Sequence, residues 1–228
     1  MTAAGYLPRM AVLDITTPYS RQTSFLYDRL IAPAVVPLIA PIEAEWATRL
    51  GPSARVLDVG CGGGQVAARL AADHPSYEVV GVDLSKDQVR RAQRRSPRLT
   101  FQVADALALP FPDGAFDGVY SIASLKHWPD VARGIAECAR VVRPGGLLCL
   151  VEVERGCSLD DTLAFVRTTP LGRGPLLVPA SAAFMAFVAG RGWHIDEARA
   201  AMATLPLDAP RIERHGGVAL VLHGRKRL

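Results

Sequence analysis

Cysteine is scarce in this 228-residue sequence, which has only four of them. They form neither a Cys-x-x-Cys pair nor the spacing of a zinc site, so they give no reason to expect a metal. Cys138 and Cys149 fall in apolar segments and are predicted to be buried. We therefore expect reduced thiols and a cytoplasmic protein.

Long hydrophobic runs are also lacking. The most apolar stretch, Leu30–Ile42, is too short for a membrane span and contains three prolines. The N-terminal stretch Met1–Leu13 has a broken apolar pattern that does not resemble a signal peptide. We expect no transmembrane segment.

The sequence has no strong excess of charge, because its formal net charge is only +4 at pH 7. The basic residues nevertheless concentrate in one predicted helix and in the C-terminal tail. They are Arg90, Arg91, Arg94, Arg95, Arg98, Arg225, Lys226 and Arg227. Two interpretations stay open, a solvated helix face and tail, or a surface for nucleic acid or anionic lipid.

A glycine-rich stretch, Val56–Gln65, is the most informative part of the sequence. An apolar run ends in a burst of glycines and a helical apolar spacing follows, which predicts a strand, a tight turn and a helix. Glycines let backbone N–H groups approach a ligand closely. Asp58, two residues before the first glycine, is a poor neighbour for a pyrophosphate and a good one for an ammonium group. The expected ligand therefore carries a cation.

A second apolar strand, Glu78–Val82, ends at Asp83. A carboxylate in this place can accept hydrogen bonds from both ribose hydroxyls of an adenosine, although a plain strand-end carboxylate is the alternative. Ser85 and Gln88 then predict a capping box for the next helix.

Strands and helices alternate along the remaining sequence, which predicts an α/β fold. The predicted helices are Tyr19–Leu30, Ile42–Leu50, Val131–Val142 and Ser181–Ala189, and Thr168–Pro175 is predicted to lack regular structure. The predicted strands after the second are Leu99–Val103, Gly118–Ser121, Leu147–Val151, a segment near Ala198–Leu205 and a segment near Val218–His223, with a turn at Arg143–Gly146.

Three of these stretches resemble class I S-adenosylmethionine-dependent methyltransferases, and are similar to the quinone and small-molecule group with the methyltransferase type 11 domain. They are Asp58–Gly64, Phe116–Ser121 and Arg143–Gly146. The resemblance implies a Rossmann-like, doubly wound, seven-stranded sheet, mostly parallel with a C-terminal antiparallel hairpin. It also implies an N-terminal helical cap over residues 1–50, and a cofactor-binding domain over 51–228 with a lid and acceptor insertion near 154–180.

The implied cofactor is S-adenosyl-L-methionine, with S-adenosyl-L-homocysteine as its product. In the family the acidic residue at Asp58 helps to hold the amino-acid end, and one placed like Asp105 meets the adenine amino group. A turn aspartate is the alternative for Asp105. The implied cofactor-binding residues are Asp58, Gly60, Cys61, Gly62, Gly64, Asp83, Leu84, Asp105, Ala106 and Ser121.

The stretch Ser121–His127 is expected to form the rim where methyl group and acceptor meet. Relatives commonly carry two histidines here, whereas this sequence has Lys126 and then His127. His127 is the candidate general base, because the intrinsic pKa of histidine lies near neutrality; anchoring the cofactor or the loop is the alternative. Tyr19, Tyr27 and Lys126 are expected at the acceptor site or its lid.

The sequence thus predicts methyl transfer by in-line displacement to an O, N or C nucleophile of a small, largely apolar molecule. A nucleic-acid substrate is not expected, since Ser121–Ser124 lacks the Asn/Asp-Pro-Pro-aromatic motif. A catalytically silent cofactor-binding partner is the main alternative. An NAD-dependent oxidoreductase is disfavoured because Gln65 stands where its glycine fingerprint needs glycine. A metal-dependent catechol reaction stays open.

Overall fold

The computed structural model describes residues 36–169, 172, 174–187 and 189–228. The predicted helix Tyr19–Leu30, with Tyr19 and Tyr27, lies outside the described residues, as do Pro170, Leu171, Arg173 and Val188. Within the described residues no helix is long and apolar enough to cross a bilayer.

The described residues form one seven-stranded sheet. Its strands are β1 Arg55–Val59, β2 Glu78–Asp83, β3 Thr100–Val103, β4 Phe116–Ile122, β5 Val142–Val153, β6 Leu207–His215 and β7 Ala219–Lys226. The strand order is β3-β2-β1-β4-β5-β7-β6. Strands β1 to β5 run parallel, while β7 pairs antiparallel with both β5 and β6. This confirms the predicted mostly parallel sheet with its C-terminal antiparallel hairpin.

The described helices are α1 Ala40–Arg49, α2 Gln65–Asp73, α3 Lys86–Arg95, α4 Val131–Val141, α5 Leu159–Arg167, α6 Leu177–Phe187 and α7 Ile195–Ala203. Helices cover both faces of the sheet, so the central strands β1, β2, β4 and β5 are mostly buried, whereas the edge strand β6 is mostly exposed. Alternate residues of β1 point to opposite faces, and Val56 and Leu57 accordingly belong to different core clusters. Residues of α1, α2 and α3 pack on the Val56 face, and residues of α4 and α7 on the Leu57 face.

The predicted strand near Ala198–Leu205 is wrong, because this segment is mostly helix α7, and the sheet resumes at Leu207. A capping box at the start of the helix explains the difference. The His194 side chain accepts from a backbone N–H of the first turn, and the Glu197 side chain accepts from the backbone N–H of His194. Ala198 and Met202, four residues apart, form the buried face of this helix.

The predicted turn at Arg143–Gly146 lies inside strand β5, which begins at Val142 rather than at Leu147. The turn survives as an irregularity, because the register against β4 shifts between Phe116 and Gly118. Gly145 has a φ of +75° there. The turn residues therefore bend the ladder without ending it.

The predicted lid and acceptor insertion near 154–180 contains α5 and the start of α6. Phe165 and Phe184, from these two helices, lie with ring centroids 5.1 Å apart. They pack on a small cluster with Val153, Ala189 and Val218. The insertion is thus attached to the sheet edge through its own apolar cluster, while its role as a lid stays a prediction.

Candidate cofactor and active site

The glycine loop between β1 and α2 is held tightly against its neighbours. Gly60 and Cys61 both donate their backbone N–H groups to Val82 O, at 2.8 and 2.9 Å. Gly60 has a φ of +77°, and a Cβ at this position would lie only 2.0 Å from Ser124 Oγ. No other residue type fits this place without displacing the loop.

Gly62 stands in contrast to its neighbours, because a Cβ there would meet no atom within 4 Å. Gly62 has a φ of +52°, and its N–H donates to Asp83 Oδ2 at 2.9 Å. The loop is closed from behind by Arg95 of α3, whose guanidinium hydrogen bonds to Gly63 O. Sequence reasoning left Arg95 either on a solvated helix face or on a surface for nucleic acid or anionic lipid, and it missed this contact. A ligand can approach the loop at Gly62.

Asp58 is buried below the loop with only 2% of its surface exposed. Its Oδ2 atom has no hydrogen-bond partner among the described residues. Burial raises the pKa of Asp58 to about 7, the adjacent Tyr120 hydroxyl opposes that rise, and the negative charge of Asp83 adds to it. A buried carboxylate oxygen in this state needs a cation or a donor, and the ammonium group of an amino-acid ligand fits that need.

Asp83 at the end of β2 holds the loop and the next helix together. Its Oδ1 accepts from Ser85 N at 2.8 Å and its Oδ2 accepts from Gly62 N. Burial raises the pKa of Asp83, and these two N–H groups oppose the rise. Each carboxylate oxygen has a second lone pair, so hydrogen bonds from ribose hydroxyls can be added.

This arrangement corrects the predicted capping box at Ser85. Ser85 Oγ accepts from Gln88 N at 3.4 Å, which is the first bond of the box. The second bond, from Ser85 N to the Gln88 side chain, is not made because Ser85 N donates to Asp83 instead. Gln88 Oε1 is consequently buried without a hydrogen-bond partner among the residues that the structure describes.

An apolar wall lies beside Asp83. Leu84 is 66% exposed and Val103 is 44% exposed, and Val103 is the register partner of Asp83 on β3. Sequence reasoning named Leu84 but missed Val103, whose position next to Asp83 follows from strand pairing. Two exposed apolar side chains at a strand edge suit the face of a planar base.

Asp105 and Ala106 come just after β3, close in sequence to Val103. Asp105 is exposed, and its Oδ1 accepts from Leu107 N at 2.9 Å. This is the turn role that the sequence left open, and it presents the carboxylate at the surface next to the apolar wall. Contact of Asp105 and Ala106 with adenine stays a prediction.

Ser121 is fully buried, and its Oγ has no hydrogen-bond partner among the described residues. Because side chains alternate along β4, Ser121 lies on the face of Val119 and opposite to Tyr120. The structure therefore does not bring its hydroxyl to the Asp58 side of the sheet. Its predicted contact with the cofactor remains untested.

Lys126 and His127 lie in a short 3₁₀ helix, Leu125–His127, after β4. Lys126 Nζ donates to Glu152 Oε1 and to Ala123 O, both at 2.8 Å, and this ion pair is almost fully buried. The ammonium group is therefore engaged with β5. Its predicted contact with the acceptor stays a prediction.

His127 differs from the sequence expectation in its protonation. Burial lowers the pKa of His127 to about 4, the charges of Lys126 and Arg191 lower it further, and Glu152 opposes them. The imidazole is thus neutral at physiological pH, where it can accept one hydrogen bond and donate another. Within the described residues, no group of three or more His, Cys, Asp or Glu side chains is placed to hold a metal ion.

Residues 57–150 match the family described as "Methyltransferase domain". The chain is 44% identical over 102 residues to the 27-O-demethylrifamycin SV methyltransferase of Amycolatopsis mediterranei, covering 42% of this chain and 37% of that protein. It is 34% identical over 169 residues to the methyltransferase GfsG of Streptomyces halstedii, covering 71% of this chain and 54% of that protein. The chain therefore spans about half or less of the length of these curated relatives.

The fold matches that of a SAM-dependent methyltransferase from Aquifex aeolicus, with a TM-score of 0.67 and 14% identity over 91% of this chain and 98% of that one. The sheet order and the arrangement of helices around it are therefore those of a Rossmann-like methyltransferase fold. The match to the methyltransferase domain family covers residues 57–150, which is less than half of the chain.

Proposed function

We propose that the protein transfers a methyl group from S-adenosyl-L-methionine to an O, N or C nucleophile of a small, largely apolar molecule. The observation that carries this proposal is the buried Asp58 Oδ2, which has no hydrogen-bond partner in the described part of the chain and lies beneath a glycine loop that opens at Gly62. A cationic amino-acid group satisfies that oxygen, whereas a diphosphate would bring further negative charge to Asp58 and Asp83.

The described residues offer partners for the ammonium group, the ribose and the adenine of the cofactor. Asp58 would hold the ammonium group, and Asp83 would accept from the ribose hydroxyls. Leu84 and Val103 would cover the adenine face, and Asp105 would meet its amino group. Because Asp83 also accepts from Gly62 N, ribose binding and the loop conformation are coupled through one carboxylate.

The sulfonium group supplies an already activated methyl group when it is bound. The main task of the chain is to align the acceptor with that group and to exclude water, which can contribute about 7–11 kcal/mol. The family-type rim at Leu125–His127 lies next to β4, outside the carboxyl ends of the parallel strands. The acceptor would bind at this rim.

The charges around His127 favour an acceptor that can become an anion. With a pKa of about 4, His127 is a weak base that stays neutral. It serves better to accept a hydrogen bond from an acceptor hydroxyl, while Arg191 favours negative charge nearby, since the charge of Lys126 is balanced by Glu152. A phenol or enol is such an acceptor, and O-methyltransferases such as cnsE of Penicillium expansum, 37% identical over 144 residues, are among the relatives.

The alternative of a catalytically silent cofactor-binding partner is not favoured, because the curated relatives are described as methyltransferases. A [4+2]-cyclase shares this fold, with a TM-score of 0.55 and 23% identity over 92% of this chain and 97% of that one. The fold alone therefore does not fix the reaction.

Isotope-labelled methyl transfer tests the proposal. We would incubate the protein with methyl-labelled S-adenosylmethionine and cell extract, and identify labelled products by mass spectrometry. Label in a small apolar molecule is the expected result. Label only in protein or nucleic acid would overturn the small-molecule acceptor, and cofactor binding without product over a broad acceptor panel would favour the silent partner.

A further inference from the structure

Tyr120 of β4 lies beside Asp58 of β1 at the bottom of the candidate cofactor site. The two residues are direct register partners in the parallel β1–β4 pair. Both are buried, with Tyr120 fully inaccessible. Tyr120 belongs to the same core cluster as Val56, two residues before Asp58, so the two side chains project from the same face of the sheet.

The ring of Tyr120 is fixed by its packing. Trp46 of α1 meets it edge-on, with ring centroids 5.7 Å apart and planes at 67°. Trp46 itself lies against Gly118, where a Cβ would be 3.0 Å from the indole. The Tyr120 hydroxyl therefore cannot reach solvent by a change of rotamer, and its position is set by the core.

Two polar atoms at this place lack a hydrogen-bond partner among the described residues. They are Asp58 Oδ2 and Tyr120 Oη. One is an acceptor and the other a hydroxyl donor, and they belong to neighbouring side chains. Buried polar atoms of this kind are usually paired, so their shared lack of a partner needs an explanation.

The ionisable groups that act on this pair are all acidic. Asp83 on β2 acts on Asp58. Cys61 in the loop and Glu43 on α1 act, together with Asp58, on Tyr120. Burial and these charges raise the pKa of Tyr120 well above its ordinary value, so the hydroxyl keeps its proton. A neutral hydroxyl can stabilise the Asp58 carboxylate from this direction without adding negative charge.

We propose that Tyr120 is a positioning residue whose hydroxyl closes onto the Asp58 carboxylate, orients it and favours its ionised form for the ammonium group of the cofactor. This inference rests on the proposed cofactor role of Asp58. The hydroxyl acts through Asp58 and need not touch the cofactor itself. Phenylalanine at this position would keep the ring packing and remove only the donor.

The first test measures the Asp58 carboxyl without any cofactor. The carboxyl pKa would be followed by carbon NMR in protein with labelled aspartate, with D58N used for assignment. Loss of a hydrogen bond to a charged group is expected to raise the pKa of Asp58 in Y120F by about one to two pH units. The matched control is Y77F, since Tyr77 is also largely buried but is stacked on His74. An Asp58 pKa that is equal in wild type and Y120F would overturn the proposal.

The second test measures binding of S-adenosyl-L-homocysteine at two pH values. If the pKa of Asp58 rises from about 7 to 8 or 9 in Y120F, the ionised fraction of this carboxyl at pH 7 falls. The Kd of Y120F should then be roughly 5- to 50-fold higher than that of the wild type. At pH 9 the difference should shrink to about twofold or less, because at least about half of the carboxyl is then ionised in Y120F. An equal loss at both pH values would indicate a merely structural effect and overturn the proposal.

Two further variants separate the possible failures. D58N combined with Y120F should bind no more weakly than D58N alone, because the hydroxyl then has no carboxylate to act on. D58N should also lower the pKa of Tyr120, measured by ultraviolet titration, since the Asp58 charge is removed. If the Asp58 pKa shift is present but the wild type does not bind the nucleoside, the proposed cofactor site fails while the Asp58–Tyr120 coupling stands.

Discussion

At the scale of single residues, His127 shows how burial changes the chemistry of a side chain. Its pKa is lowered from an ordinary 6.5 to about 4 by burial and by the neighbouring cations Lys126 and Arg191. We expect nitrogen NMR of the His127 ring to show a neutral imidazole from pH 5.5 to pH 8, with H127N for assignment. A ring that takes up its proton near pH 6.5 would contradict the buried position.

The same shift predicts a dependence of stability on pH. The unfolded chain binds this proton near pH 6.5 and the folded chain only near pH 4, so folding stability is lost as the pH falls through that window. The free energy of unfolding of the wild type should therefore fall more steeply than that of H127N between pH 6.5 and pH 4.

The glycine loop allows a second prediction, from two substitutions of the same kind. G60A brings a Cβ to 2.0 Å from Ser124 Oγ, whereas G62A places it in open space. Positive φ costs alanine about 1–2 kcal/mol at either position, so the steric clash makes G60A the less stable variant. G62A should fold but bind S-adenosyl-L-homocysteine at least about tenfold more weakly, since the Cβ occupies space that a ligand would use.

Thermal unfolding and calorimetric binding would compare the two variants. Gly51→Ala is the control, because Gly51 has neither a positive φ nor an atom within 4 Å of the added Cβ. Wild-type affinity in G62A would remove Gly62 from the proposed site.

Asp58, Gly62 and Asp83 could be proposed from the sequence because they stand in one continuous motif or directly at a strand end. Tyr120 and Val103 could not, since each matters through its register partner on another strand. The pKa of His127 was also beyond reach, because it depends on burial and on Arg191, far away in the sequence.

At the scale of structural elements, the buried Lys126–Glu152 pair joins the Leu125–His127 turn to β5. Glu152 accepts from both the ammonium group and the backbone N–H of Lys126, at 2.8 and 3.1 Å. K126M would leave Glu152 buried without its counter-charge, which should cost about 3–5 kcal/mol. Urea unfolding measures this loss.

The double variant K126M/E152Q should recover most of that stability, because no isolated charge is then buried. R199M is the control, since Arg199 forms an exposed pair with Asp196 and its loss should cost about 1 kcal/mol or less. Equal losses in K126M and R199M would show that the Lys126 pair is not buried in solution.

Helix α7 and strand β5 show why element boundaries were harder to predict than element order. The segment 198–205 is short and apolar, and its helical form depends on the cap at His194 and Glu197 just before it. In β5, the turn residues Arg143–Gly146 form a bulge, because Phe116 of β4 pairs with Val142 and Gly118 pairs with Leu147. Glycine and proline marked the bend correctly, but pairing decided that the strand continues.

At the scale of the whole molecule, the sheet order gathers the site. Strands β2, β1 and β4 are neighbours, so Asp83, the glycine loop and the Leu125–His127 turn meet at their carboxyl ends. Glu45 of α1 connects this helix to the β6–β7 hairpin. Its Oε2 lies 2.7 Å from His223 Nδ1 and its Oε1 lies 2.9 Å from Arg211 Nη2. Helix α1, which carries Trp46, is thus attached to both the sheet centre and the hairpin.

This arrangement predicts how a ligand changes global stability. A ligand that binds only the folded state at 100 times its Kd adds about 2.7 kcal/mol, or about 5–10 °C in Tm for a chain of this size. We expect S-adenosyl-L-homocysteine to produce such a rise at pH 8, where Asp58 is mostly ionised. NAD should produce none, because its diphosphate would face Asp58 and Asp83.

The variant D83A tests the role of Asp83 in this measurement, and D87A is its matched control. D83A removes the acceptor for Gly62 N and Ser85 N as well as for the ribose, so it should lower the Tm of the free protein and abolish the ligand-dependent rise. D87A changes a nearby exposed carboxylate, paired with Arg90, and should keep the full rise. A Tm rise with NAD in the wild type, and none with the homocysteine compound, would mean that the two carboxylates bracket a different ligand from the one proposed.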